Sequence, residues 1–73
     1  MKNDVIKQAV KYVNKMELVI LLDLEGKDSK KAKTEAEIEC CMLNAIASTC
    51  GVSRKETKKL VDKIILEKSK QYA

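Results

Sequence analysis

The chain contains no histidine, no proline, no phenylalanine and no tryptophan, and only two glycines and two tyrosines among its 73 residues. Without histidine, no side chain has an ordinary pKa suited to general acid–base work near neutral pH, and zinc loses its usual nitrogen ligand. A glycine-rich phosphate loop and a convergent carboxylate pair are missing as well, so the chain is expected not to be an enzyme and to carry no cofactor. Cys40, Cys41 and Cys50 are an odd number of thiols, two of them adjacent. They suit neither a disulfide framework nor a metal site, and they point to a reducing, cytoplasmic setting. Cys41 and Cys50 are expected as small buried hydrophobes, and Cys40 as the more exposed thiol and the better candidate for redox sensing. The longest apolar run, Leu18 to Leu22, is far too short to cross a bilayer. Met1-Lys2-Asn3-Asp4 leads into an amphipathic stretch rather than the apolar core of a signal peptide.

What remains is aliphatic and basic. Hydrophobic residues make up 45% and charged residues 36%, a globular rather than a disordered balance. The core must be built from Val, Ile, Leu, Ala, Met and Cys. A chain this short buries roughly 60% of the surface its unfolded form exposes, which leaves a single domain marginal and favours help from a second chain. Fifteen Lys+Arg against eleven Asp+Glu leave a net charge of +4, compatible with a polyanionic partner. Arg54 is the single guanidinium; the other cations are lysines.

With no proline, Gly26 and Gly51 are the main punctuation, and they divide the chain into three helices at about 4–24, 35–50 and 54–68. In the first, Asn3 or Asp4 is expected to cap the start. Ile6, Ala9, Val10, Val13, Met16, Ile20 and Leu24 recur at helical spacing. Leu18, Val19, Leu21 and Leu22 widen this stripe to every face, which motivates a homodimer through them. A short buried strand over 18–24 is the competing expectation. In the second helix Thr34 with Glu37 forms a capping box, because Lys30, Lys31 and Lys33 oppose a helix dipole. Its apolar face is expected to be Ile38, Cys41, Met42, Ala45, Ile46, Thr49 and Cys50. In the third, Ser53 with Glu56 forms a second capping box, Leu60, Val61, Ile64 and Ile65 form the buried stripe, and the residues from Glu67 onward fray.

The junction Ile46-Ala47-Ser48-Thr49-Cys50-Gly51-Val52-Ser53-Arg54-Lys55-Glu56-Thr57-Lys58-Lys59-Leu60 resembles the helix-turn-helix of bacterial DNA-binding proteins. Ala47 matches the small residue where the helices cross, and Gly51 the left-handed turn residue. Val52 matches the apolar plug and Ser53 the cap, with Ile46, Cys50 and Leu60 at apolar positions. Thr57 stands where the family usually has Val or Ile. The resemblance covers about a fifth of the chain; a plain helical hairpin is the other reading of the same residues.

The resemblance implies an all-α, three-helix, dimeric domain that binds double-stranded DNA. Its third helix would present Ser53, Arg54, Lys55, Lys58, Lys59 and Asp62 to the major groove, with backbone contacts from Lys30, Lys31 and Lys33. A bacterial or mobile-element regulator, or an accessory factor acting beside a recombinase or polymerase, is the expectation. The alternative is a helical adaptor or inhibitor that binds a protein, not DNA, through its apolar first helix.

Overall fold

The computed structural model describes residues 3–71; Met1, Lys2, Tyr72 and Ala73 lie outside them. Among the described residues there are three helices and no strand: α1 (Asn3–Leu24), α2 (Lys30–Thr49) and α3 (Arg54–Gln71). The strand expected as an alternative over 18–24 is excluded, because α1 continues unbroken through Leu24. Among the described residues no helix is long and apolar enough to cross a membrane.

Helix α1 is the spine. It packs along both other helices, most extensively α2, while α2 and α3 contact each other least. Gln8 meets Glu39 and Lys15 meets Glu35, so α2 runs antiparallel to α1. Tyr12 shares a cleft with Thr57 and Val61, while further along both helices Lys68 bonds Asn14 and lies 3.6 Å from Glu17, so α3 runs in the same direction as α1.

The core is small-residue packing. Val5, Ala9, Leu43 and Ala47 form its buried centre, and Val13, Ala32 and Ala36 extend it. Tyr12, Ile46, Cys50, Val52, Leu60, Val61 and Ile64 pack against that centre half-buried. This corrects the expected faces. On α1, only Ala9 and Val13 of the predicted stripe are buried, while Ile6, Val10, Ile20 and Leu24 are exposed. On α2, Ile38, Cys41 and Met42 point outward, and on α3 so does Ile65. The physical reason is distance: alanines at 9, 32, 36 and 47 let the α1 and α2 backbones approach closely, which large aliphatic side chains would prevent. Gln8 enters this contact because its amide nitrogen uses both hydrogens, donating to the Glu39 carbonyl at 3.1 Å and to Glu39 Oε2 at 2.7 Å.

Helix α1 stops at Gly26, whose φ of +72° supports a paired turn. Gly26 N donates to the Asp23 carbonyl and Lys27 N to the Leu22 carbonyl, at 3.1 and 2.9 Å. Helix α2 then starts at Lys30, well before the predicted Thr34 cap. Thr34 lies inside it, its hydroxyl donating to the Lys30 carbonyl. Two local interactions outweigh the dipole penalty of the lysines. Asp28 Oδ1 accepts the Lys30 amide at 3.0 Å, and buried Ser29 donates to Asp23 Oδ1 at 2.6 Å, closing the loop. Extending the helix also buries Ala32 and Ala36, whereas an unfavourable charge in the first turn costs only about 0.3–1 kcal/mol. Asn3 and Asp4 lie within the first turn of α1, so neither is its cap. At the other end α3 continues past Glu67 to Gln71. Lys68 anchors it to α1 and Ser69 bonds back to the Ile65 carbonyl.

Candidate nucleic-acid interface

The corner between α2 and α3 is built by backbone hydrogen bonds. Gly51 adopts φ +72°, its amide donates to the Ser48 carbonyl at 3.1 Å, and the Val52 amide donates to the Ala47 carbonyl at 2.8 Å. This pair of bonds satisfies carbonyls that the helix end would otherwise leave open. It also turns the chain so that Val52 drops against the core. Ser53 then caps α3: its Oγ accepts the Glu56 amide at 3.2 Å. The Ser53 carbonyl accepts both the Thr57 amide and the Thr57 hydroxyl, at 3.0 and 2.9 Å. Thr57 is therefore no obstacle at its apolar position. It is 5% exposed, with its polar atom satisfied one turn back.

A Cβ added at Gly51 would meet nothing within 4 Å, so substitution is penalised through the backbone alone. Gly51→Val should lose about 1–2 kcal/mol from forcing a branched residue into the left-handed region. Ser53→Ala should lose about 1 kcal/mol from the missing cap. Both are read as lowered midpoints in urea denaturation, and an unchanged midpoint for Gly51→Val would mean that the corner is not held this way.

All six residues predicted to face DNA are exposed: Ser53 at the cap, and Arg54, Lys55, Lys58, Lys59 and Asp62 on α3. The five on the helix divide into two sets around its axis. Lys55, Lys59 and Asp62 project opposite the buried Thr57 and the half-buried Leu60, Val61 and Ile64. Arg54 and Lys58 occupy the flank turned toward α2. There they line two adjoining clefts of about 310 and 360 Å³, with Asn44 and Ser48 on the opposite wall and Tyr12 and Cys40 deeper in. No carboxylate lines either cleft. Burial, and then the neighbouring Cys40, push the Tyr12 phenol above its ordinary pKa, so it stays a neutral hydrogen-bonding group. Among the described residues, none of Arg54, Lys55, Lys58 and Lys59 has an ion-pair partner.

The lysines predicted to assist do not gather here. Lys30, Lys31 and Lys33 start α2, whose other end makes the corner; with 20 residues between its ends, the separation is on the order of 25–30 Å. Lys7 and Lys11, which lie outside the helix-turn-helix pattern, are closer. They line a groove with Met42, Ile46, Thr49 and Cys50 at the corner end of α2. Asn44 and Ser48 carry no signal in that pattern either; their spacing of four, continuing from Cys40, marks one flank of α2. The cysteines are also redistributed. Cys41 is exposed, against expectation, while Cys40 and Cys50 are half-buried. Among the described residues no three His, Cys, Asp or Glu side chains group as metal ligands.

Of the residues expected at a dimer interface, Leu18 and Leu21 are exposed, and Val19 and Leu22 are half-buried. The chain matches no protein-family model, no curated protein and no solved structure.

Proposed function

We propose that this chain is a small helix-turn-helix DNA-binding protein that lays α3 in the major groove. It would act as a transcriptional regulator or as an accessory factor in recombination. One observation carries the reading: four exposed cations, without ion-pair partners among the described residues, occupy the first two turns of a helix whose start is fixed by Gly51 and Ser53. Between positions 54 and 63 five cations face only Glu56 and Asp62, and polyanion binding scales with such unneutralised charge. Lys55 and Lys59 suit phosphates, and Lys58 suits a phosphate or a base edge. Arg54 alone can grip guanine O6 and N7 with two bonds.

The rival reading, capture of another protein through α1, draws on the exposed leucines at the far end of that helix. A gel-shift titration with random and genomic duplex fragments at two salt concentrations separates the two. Retardation that weakens steeply with salt supports DNA binding; no retardation at low salt, with a tight protein complex instead, overturns it.

A further inference from the structure

The two clefts between α2 and α3 share a wall, because Asn44, Arg54 and Thr57 line both. At about 310 and 360 Å³ they fall within the range of small-molecule sites, roughly 300–1,000 Å³. Their chemistry is one-sided. Arg54 and Lys58 bring two positive charges, no Asp or Glu lines either cleft, and neither cation has an ion-pair partner among the described residues. The two stand four residues apart on one flank of α3, where like charges repel each other. An anion between them would relieve that repulsion. The neighbouring polar groups can donate as well: the Asn44 amide, the Ser48 hydroxyl and the Tyr12 phenol, which burial keeps protonated. Thr57 stands apart from this set, because its hydroxyl already donates to the Ser53 carbonyl. Behind these donors the second cleft is apolar, with Leu43 and Val61 beside the Tyr12 ring.

We propose that this cleft binds a small organic phosphate monoester, with the phosphate on Arg54 and Lys58 and the organic part against Tyr12, Leu43 and Val61. A monoester carries a charge of about −1.5 to −2 at pH 7, which matches the two cations. A carboxylate or a phosphodiester carries a single charge and matches them less well. The guanidinium supplies a fork that phosphate oxygens accept in pairs, and the lysine adds a point charge. The apolar end of the cleft supplies recognition that neither inorganic phosphate nor a DNA backbone can use. If α3 binds DNA as proposed above, Arg54 and Lys58 cannot hold the ester and a duplex at once, so the ester releases DNA. That antagonism rests on the DNA-binding reading; the ester site does not.

Phenyl phosphate, inorganic phosphate and dimethyl phosphate, each titrated into the isotopically labelled chain at matched ionic strength, test the site. Phenyl phosphate should bind about ten-fold more tightly than inorganic phosphate, through burial of its ring. Dimethyl phosphate, which stands in for the DNA backbone, should bind most weakly. Arg54→Gln and Lys58→Gln, both at exposed positions, should keep the helical circular dichroism and each weaken phenyl phosphate about ten-fold. Lys70→Gln, in the last turn of the same helix, should leave its binding unchanged. Phenyl phosphate that binds no more tightly than inorganic phosphate, or that ignores Arg54→Gln and Lys58→Gln, overturns the ester site. Dimethyl phosphate binding as tightly as phenyl phosphate also overturns it, and makes the cleft a seat for the DNA backbone.

Duplex binding in saturating phenyl phosphate, compared with chloride at the same ionic strength, reads the antagonism. Duplex affinity should fall about ten-fold as two phosphate-binding cations are occupied. An unchanged affinity overturns the antagonism. A chain that binds phenyl phosphate but no duplex keeps the ester site and removes the DNA reading; duplex binding with no ester in the cleft does the reverse.

Discussion

Leu43→Ala should destabilise this protein by about 2–5 kcal/mol, the usual range for emptying a fully packed leucine site. Leu43 is 2% exposed and is the one leucine of the buried centre, surrounded by Val5, Ala9 and Ala47. Those neighbours are small, so little side-chain volume is available to collapse into the hole. A domain of this size has roughly 4–11 kcal/mol in total. The melting temperature should accordingly fall by on the order of 10–30 °C. Ile38→Ala and Cys41→Ala, exposed on the outer face of the same helix, should change stability by no more than about 0.5 kcal/mol. Thermal melts followed by circular dichroism at 222 nm check all three. The contrast decides which face of α2 is buried, because the periodicity of its large side chains predicts the opposite ranking.

The three helices are legible in the sequence, because nothing interrupts the helical spacing between the two glycines and each glycine has a positive φ that ends a helix. The Gly51–Ser53 corner is legible residue by residue, since its geometry is local: a left-handed glycine, an apolar plug and a hydroxyl cap. The buried faces are not. Periodicity weighs large aliphatic residues most, and here closeness of approach selects Ala9, Ala32, Ala36 and Ala47 instead. The start of α2 is hidden for a related reason. Three lysines argue against a helix N-terminus, but the bond from Ser29 to Asp23 and the Asp28 acceptor depend on contacts across the loop. The division of the α3 cations into an outer crest and a flank facing α2 depends on where α2 lies, which sequence spacing does not specify.

Arg54→Ala and Lys59→Ala should weaken DNA binding in different ways. Arg54 is the first residue of α3 after the Ser53 cap, held in place by a corner whose backbone and side-chain hydrogen bonds run from 2.8 to 3.2 Å. Its loss should cost about 1–3 kcal/mol on a preferred sequence and relax preference at one base position. Lys59 lies on the outer crest, where a phosphate contact is expected. Its loss should weaken binding to every duplex alike and reduce the dependence of log K on log salt by roughly one. Isotherms on preferred and scrambled duplexes at two salt concentrations distinguish the two behaviours. Equal small losses for both variants on both duplexes would reduce α3 to a merely basic face.

A titration of the isotopically labelled chain with a short duplex, followed by backbone amide resonances, locates the contact residue by residue. Binding through α3 in the major groove predicts that the shifts concentrate between Ser53 and Asp62. Smaller changes are expected at the corner residues Asn44 and Ser48, and little change at Lys30, Lys31 and Lys33 on the far end of α2. Shifts confined to the lysines that open α2, or a spectrum unmoved by excess duplex at low salt, would refute binding through α3.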